Sequence, residues 1–335
     1  MSAKFTVSFA GPLVSVQDDG RPGSMRFGVP RSGPMDRTSF AVLRRALEQN
    51  EGFAAIEVSI GGMVLKCTEG NVTAGFVGGN FSVSLDGQPQ SPWSVFTIRA
   101  GSTLTIRPGL EGSWGYLGFC GKINSSEWLG SQATHLASGL CGHPLAAGAT
   151  IEVSEAKVEA GFTCSLPIPD FARFSGNVRI VPGPQDDCFA PETLGALVSE
   201  PYEVTQDYDR MGMRLKGPSL PIAEELSMPS EALVRGAVQV PGHGDPIVLL
   251  ADHQTTGGYP KIATVITADQ DQLTQARARD KVRLASATPA EAVKLARAQH
   301  AKVTTYLESI AELRGSFEDR LRRSNLISGV VGDEF

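Results

Sequence analysis

The chain of 335 residues has few charged side chains, which make up 20% of it, and few aromatic ones, at 7%. Cysteine is also scarce: the 5 cysteines are widely spaced without a CxxC pair, and the 5 histidines show no spacing typical of metal ligands. We therefore expect buried, reduced thiols and no bound metal. A formal net charge of −6 excludes an overall basic surface, so nucleic acid is not expected as a partner.

Long apolar runs are missing as well. No stretch approaches the ~20 apolar residues that span a bilayer. The first residues lack the apolar core and the cleavage site of a signal peptide. These features predict a cytoplasmic protein that has no membrane partner.

Glycine and proline, in contrast, are plentiful. The 37 glycines and 21 prolines make up about 17% of the chain, against about 12% in average proteins. Hydrophobic residues reach 41%, which is ample for a core. This combination favours many short strands joined by tight turns over a helical bundle, a coiled coil or a disordered chain.

Alternating patterns locate strands in the first part of the chain. Residues 56–60 and 81–85 alternate with a period of two, and the second run leads into Asp86-Gly87, a strong hairpin signal. Such dense, short pairing indicates a closed or nearly closed β-barrel. A first helix is expected over residues 36–49.

A predicted linker, Pro167-Ile168-Pro169-Asp170 followed by Ser175-Gly176-Asn177, separates two similar parts of the chain. The strand predicted at 178–181 is followed by Pro182-Gly183-Pro184, and the strand predicted at 6–9 is followed in a similar order by Ala10-Gly11-Pro12. We therefore predict two related β halves that face one another, residues 1–170 and 176–286.

Residues 288–325 differ from the rest and predict a C-terminal helical extension. Thr288 is a suitable N-cap, Pro289 fits the first helical position and Glu291 completes a capping box. Apolar side chains recur along one stripe at Val303, Leu307, Ile310, Leu313 and Phe317. Two interpretations stay open for this stripe, packing against the chain's own barrel or contact with a second protein chain.

The most unusual segment is a polar loop between two apolar strands within residues 249–264. Asp252 and Lys261 can titrate there, and Gly257-Gly258 allows a ligand to approach the main chain closely. Further polar side chains lie between them: Gln254, Thr255, Thr256 and Tyr259. The loop is predicted to bind or react with a ligand, and the alternative of a purely structural turn stays open.

Three shorter segments are further candidates. Asp209-Arg210 beside a glycine predicts either a structural ion pair or a group that orients a carboxyl or carboxamide. Asp36 is expected to be the N-cap of the helix over residues 36–49, whose N-terminus can also hold an anion. Asn80 follows a Gly-Gly turn and is a candidate for contact with a ligand.

The order of these motifs resembles the KipA-like biotin-dependent carboxyltransferase family, which includes allophanate hydrolase subunit 2, the C subunit of 5-oxoprolinase and the carboxyltransferase portion of urea carboxylase. The resemblance covers about residues 4–285 and is most specific in residues 254–261. Further matches lie at residues 20–23, 32–36 and 209–212. The resemblance implies a mainly β fold of two cyclophilin-like β-barrel halves with a few short helices, and a site between the halves.

The resemblance also implies partners and chemistry. Family members work with a KipI-like protein, the B subunit of the complex, and either an A subunit or a biotin carboxylase completes the assembly. Two reactions stay open: transfer of a carboxyl group from carboxybiotin on a carrier protein, or ATP-dependent ring opening of 5-oxoproline through the partner complex. In either reaction the substrate is a small urea-like, amide or lactam compound. The alternative is a non-catalytic regulatory subunit.

The implied roles follow from the chemistry of a substrate that contains an N–C=O unit. Asp252 or Asp209 would act as the base, and Lys261 and Arg210 would hold the carboxyl group. The other candidates would bind the substrate: Gln254, Thr255, Thr256, Tyr259, Asn80 and Asp36.

The chain departs from the family pattern at several positions. His253 stands where Arg is common in the family, and Asn80 stands where Asp is common. The loop at residues 141–145 is shortened. These changes leave the substrate open between urea, 5-oxoproline and a different compound.

Overall fold

The computed structural model describes residues 1–50, 52–159, 161–222 and 228–313. The described chain is mainly β and forms two halves followed by a helix, which confirms the predicted fold class. No helix among these residues is both long enough and apolar enough to cross a bilayer.

Two antiparallel sheets face each other in the first half. Their strands are β1 (Ala3–Ala10), β2 (Ser15–Gln17), β3 (Ala55–Ser59), β4 (Met63–Glu69), β5 (Val72–Val77), β6 (Asn80–Leu85), β7 (Gln88–Gln90), β8 (Ser94–Ile98), β9 (Thr103–Glu111), β10 (Trp114–Phe119), β11 (Lys122–Ile123), β12 (Thr150–Ser154) and β13 (Cys164–Ser165). One sheet has the order β11-β12-β1-β4-β9-β6-β7, and the other has the order β13-β8-β5-β10-β3-β2.

The first core lies between these two sheets. In β1 the residues Ala3, Phe5 and Val7 are buried and alternate with more exposed ones, as a strand with one buried face requires. The ring of Phe5 packs 5.1 Å from that of Phe119 on the opposite sheet. The core therefore joins both sheets of the first half.

The helix α1 (Arg37–Ala46) covers the other face of the second sheet. Strands β5 and β10 are buried along their whole length for this reason. Asp36 is the N-cap and accepts a hydrogen bond from the Ser39 amide, as predicted. Glycines at the contact let the helix come close: a Cβ on Gly118 would lie 2.5 Å from the Phe53 ring and 3.0 Å from Leu43.

A closed barrel forms the second half, in the order β14-β21-β18-β19-β16-β15-β22. Two further strands, β17 and β20, pair beside it. The elements are β14 (Asn177–Pro182), α2 (Pro191–Ser199), β15 (Tyr202–Tyr208), β16 (Gly212–Lys216), β17 (Glu231–Ala232), β18 (Ala237–Gln239), β19 (Ile247–Leu249), β20 (Thr256–Gly257), β21 (Lys261–Val265), α3 (Thr267–Thr274) and β22 (Lys281–Ser286).

The C-terminal helix α4 (Pro289–Ser309) starts with the predicted capping box of Thr288 and Glu291. Its last turn and the residues after it contact the first half. The Tyr306 hydroxyl donates to the Pro167 carbonyl at 2.6 Å, and Ile310, which follows the helix, is fully buried in the cluster around α1. Leu307, Ile310 and Leu313 of the apolar stripe thus pack on their own chain. Phe317 and residues 314–325 of the predicted extension lie outside the described residues.

Gly118→Ala is expected to lower the free energy of unfolding by about 1–3 kcal/mol, because the added methyl group overlaps Phe53 and pushes α1 from the sheet. Gly195→Ala in α2 is the matched control, since no atom lies within 4 Å of its Cβ position. There the change should be neutral or stabilising by up to about 1 kcal/mol. Urea unfolding measures both values, and equal stability of the two variants would contradict the proposed contact.

Candidate functional site

The two halves meet around the side chain of Arg210, between β15 and β16. Its guanidinium donates two hydrogen bonds to the Asp252 carboxylate, at 2.9 and 2.8 Å, and another to Glu57 of the first half. It also donates to the Gly33 carbonyl at 2.7 Å. All three charged side chains are at most 1% exposed. Burial lowers the pKa of Arg210, but the carboxylates of Asp252 and Glu57 outweigh burial and raise it, so the guanidinium stays charged.

Hydrogen bonds extend this cluster through the first half. Glu57 accepts from the Met35 amide and from the Tyr116 hydroxyl, each at 2.8 Å. The Asp36 amide donates to that hydroxyl at 2.7 Å, and the Asp36 carboxylate accepts from Gln275 of the second half at 2.8 Å. Arg210, Asp252 and Asp36 are thus parts of one buried network between the halves.

Burial controls the protonation of two members of this network. It raises the pKa of Asp36 to about 6, helped by the negative charge of Asp271 and opposed by hydrogen bonds from Ser39 and Gln275. Burial also raises the pKa of Tyr116 well above its usual value, together with the charges of Glu57 and Asp36. The Tyr116 hydroxyl therefore remains a hydrogen-bond donor.

A cavity of about 250 Å³ lies next to this network and is lined by both halves. The first half contributes Asp19, Met25, Arg31, Ser32, Pro34, Arg37, Phe40 and Ala41, and the second contributes Val234, Arg235, Ala251 and His253. Three of these residues are arginines and one is an aspartate. The aspartate, Asp19, is 2.9 Å from Arg44, and Arg37 is 2.9 Å from Asp271.

Two polar groups of the cavity wall are buried without a hydrogen-bond partner, the Ser32 hydroxyl and Nε of Arg235. Ser32 is 5% exposed and holds a left-handed backbone conformation, with φ of 56°. Burial and the charge of Arg37 lower the pKa of Arg235 to about 10, so it is still cationic at neutral pH. Since buried polar groups in proteins are almost always paired, these groups indicate a place for a ligand or ordered water.

A second cavity, of about 320 Å³, also lies at the junction between the halves. The charged residues that line it differ from those of the first cavity. Its lining includes the cations Arg173, Arg277 and Lys281 but also the acids Glu111 and Asp280. Arg173 forms an ion pair with Glu111. The first cavity is therefore the better candidate for an anionic or strongly polar ligand.

The polar loop after β19 begins at the first cavity and then leaves it. Ala251 and His253 line that cavity, whereas residues 256–257 form β20 and pair with β17. Lys261 is 2.6 Å from Glu231, a residue of β17. Gln254 and Tyr259 both contact Gln239, each at 3.4 Å.

The residues that the sequence predicted for the site thus lie in several separate parts of the structure. Gln254, Thr255, Thr256, Tyr259 and Lys261 surround the β17–β20 pair and are not among the described residues that line the first cavity. Asp209 is exposed and accepts hydrogen bonds from the amides of Met211 and Gly212.

Asn80 starts β6 beside Gly79, which lines the second cavity. The structure therefore brings neither Asn80 nor Asp209 to the first cavity. The catalytic and binding roles assigned to the sequence-predicted residues stay predictions.

Sequence reasoning missed Ser32 and Arg235 as cavity residues. Ser32 lies in a Pro- and Gly-rich segment that matched the family, and this match could have indicated Ser32 as a candidate site residue. Arg235 stands alone between Val234 and Gly236 with no motif around it. Only the packing of the two halves brings it to the same cavity as Ser32.

The described residues contain no cluster of three or more histidine, cysteine or acidic side chains arranged to hold a metal ion.

Residues 27–286 match the model of the family described as carboxyltransferase domain, subdomain A and B. The chain belongs to this family, which confirms the resemblance found in its motifs.

Two bacterial proteins and one crystal structure are similar to this chain over most of its length. The chain is similar to the C subunit of 5-oxoprolinase from Haemophilus influenzae, with 32% identity over 302 residues that cover 89% of this chain and 95% of that one. The same protein of Escherichia coli is 29% identical over 310 residues, with coverage of 90% and 96%. The crystal structure of Kluyveromyces lactis urea carboxylase matches with a TM-score of 0.78 and 25% identity, over 95% of this chain but 30% of that one.

Arg210→Met is expected to destabilise the protein by about 3–5 kcal/mol, because it leaves Glu57 and Asp252 buried without a cation. Changing all three groups together, as Arg210→Met with Glu57→Gln and Asp252→Asn, should recover most of this loss. Urea unfolding of the two variants measures the difference. A single variant as stable as the unmodified protein would show that the ion cluster does not hold the halves together.

Asp36→Asn should remove one source of pH dependence. The pKa of Asp36 is about 6 in the folded protein and returns to near 3.8 on unfolding. Its contribution to stability is therefore fully present below pH 3.8 and is lost as the pH rises through about 6. We therefore compare the unfolding free energy of the variant with that of the unmodified protein at about pH 5 and about pH 8. Between these two pH values the difference should shift by about 1 kcal/mol in favour of the variant.

Urea unfolding at the two pH values tests this, with Asp207→Asn as the control because that carboxylate is exposed. A difference between Asp36→Asn and the unmodified protein that does not change with pH would show that Asp36 is not the titrating group.

Proposed function

We propose that this chain is a subunit of an enzyme complex that acts on a small urea-like, amide or lactam substrate in the cavity between its halves. One observation carries the proposal: the cavity has three arginines and two unpartnered buried groups, on Ser32 and Arg235. The chemistry is either biotin-dependent carboxyl transfer or ATP-dependent opening of the 5-oxoproline ring. Membership of the carboxyltransferase-domain family supports this pair of reactions.

The size and charge of the cavity suit such a substrate. Its volume of about 250 Å³ is below the ~300–1,000 Å³ typical of sites for drug-sized ligands, which favours a compound of few atoms. A guanidinium offers a planar set of donors that matches a carboxylate or an amide oxygen. Ser32 and Arg235 would therefore bind the oxygen of the substrate from opposite halves of the protein.

The three arginines of the cavity fit the anionic groups that the two reactions require. Arg31, Arg37 and Arg235 would hold the carboxylate of carboxybiotin or a phosphate derived from ATP. When bound, carboxybiotin supplies the carboxyl group to be transferred, and ATP supplies the phosphoryl group that drives ring opening. This chain's own residues orient the substrate and balance its negative charge.

A partner completes the active complex. We infer a KipI-like B subunit, together with an A subunit or a biotin carboxylase, in the cytoplasm. The names of the similar proteins support an assembly of several chains, because two of them are each named as one subunit of 5-oxoprolinase. The urea carboxylase chain, of which this protein matches 30%, supports joining to further domains.

Reconstitution with the KipI-like protein tests the proposal. The complex, supplied with the A subunit of a 5-oxoprolinase or with a biotin carboxylase and its carrier, is assayed for ATP-dependent hydrolysis of 5-oxoproline and for carboxylation of urea or guanidine. Turnover in one assay is the expected result and selects the reaction. Tight binding of the partner without turnover in either assay would overturn the proposal in favour of a regulatory subunit.

In the active complex, Arg235→Gln is expected to raise KM about 10- to 100-fold, because it removes a charged hydrogen-bond donor from the substrate oxygen. Ser32→Ala should weaken binding about tenfold and leave the free energy of unfolding within about 0.5 kcal/mol, since its hydroxyl has no partner to lose. Arg283→Gln, an exposed arginine on β22, is the control. Equal KM values for Arg235→Gln and the control would exclude this cavity as the substrate site.

A further inference from the structure

His253 is a cavity residue whose hydrogen bonding defines the position of its proton. The residue is one of those that line the cavity between the halves, and it is 4% exposed. Nδ1 lies 2.7 Å from the carbonyl oxygen of Gln254. A carbonyl oxygen can only accept a hydrogen bond, so Nδ1 must carry the hydrogen. In the neutral ring, Nε2 then has a free lone pair.

The surroundings keep the ring neutral. Burial lowers the pKa of His253 below its usual value, the charge of Arg235 acts in the same direction, and the Gln254 hydrogen bond and Asp252 oppose them. The ionisable residues that line the same cavity are Asp19, Arg31 and Arg37 of the first half and Arg235 of the second. Asp252 precedes His253 in the chain, and the Asp252 carbonyl oxygen lies 3.4 Å from Nε2 of His135. Arginines predominate among these ionisable residues, which disfavours a second positive charge on the imidazole.

No other described residue that lines this cavity is equally suited to accept a proton. The three arginines are cations, and Asp19 is engaged by Arg44. The neighbouring Asp252, which the sequence suggested as a base, has both carboxylate oxygens bound by Arg210. His253 alone offers a neutral nitrogen lone pair on the described wall of this cavity.

We propose that His253 is the general base of the site and that its Nε2 accepts the proton of the substrate N–H while Ser32 and Arg235 hold the substrate oxygen. The inference rests on the proposed function. In this step the substrate N–H bond breaks and an Nε2–H bond forms. The electron pair of the broken bond stays on the substrate, where the charge spreads onto the oxygen beside Arg235. The nitrogen becomes the nucleophile, and the imidazole becomes a cation.

His253→Asn tests this role in the reconstituted complex. The asparagine keeps a side-chain N–H for the Gln254 carbonyl but has no basic nitrogen. We expect kcat to fall about 10²–10⁴-fold, as for loss of a general base, while KM changes less than about threefold. The acid limb of the pH profile of kcat/KM, which reports protonation of His253, should disappear. His243→Asn, at an exposed histidine, is the matched control and should keep normal activity.

Two further measurements distinguish a failure of the role proposed for His253 from a failure of the proposed function. Imidazole nitrogen NMR of the chain alone should show a protonated Nδ1 and an unprotonated Nε2 for His253 at neutral pH; the opposite tautomer would overturn the proposal without any activity assay. His253→Gln replaces His253→Asn if the latter does not fold. An inactive unmodified complex would count against the proposed function itself. An active complex in which His253→Asn or His253→Gln retains kcat and the acid limb would overturn only the role of His253.

Discussion

The guanidinium of Arg210 is the group on which the joining of the two halves depends. It binds Asp252 of its own half and Glu57 and Gly33 of the other half, and none of these charges reaches solvent. Buried ions are tolerated only where their partners compensate for the lost hydration. Separating the halves would leave Glu57 without its cation, so the arrangement of the junction is strongly specified.

The Arg210 network also shapes the cavity beside it. The segment from Gly33 to Asp36 has no regular secondary structure, yet Arg210, Arg235 and Glu57 bind its backbone groups. With its neighbours held in this way, Ser32 can keep a backbone conformation that is unfavourable for a residue with a side chain. Strain of this kind is common where a protein must present a group to a ligand.

Polar groups at the junction fall into two kinds. Asp252, Asp36 and Tyr116 form hydrogen bonds within the network that joins the two halves. The Ser32 hydroxyl and Nε of Arg235 have no hydrogen-bond partner, and both residues are among those that line the cavity. The two kinds therefore differ in whether their hydrogen-bonding capacity is satisfied within the described chain.

Local patterns in the sequence predicted the elements and the family. A period of two indicated the β strands, Asp36 indicated the start of α1, and the run at residues 254–261 indicated the carboxyltransferase family. These features depend on neighbouring residues and are therefore visible in sequence. Glu57, in contrast, occupies a polar position in an alternating strand, where solvent exposure is the usual expectation. It is fully buried, because the junction between the halves covers that face of the sheet around Arg210, a residue 153 positions away. The pairing of Lys261 with Glu231, which lies 30 positions away in the same half, was likewise decided only by the tertiary structure. So was the placing of Ser32 and Arg235 at one cavity, because that depends on how the two halves pack together.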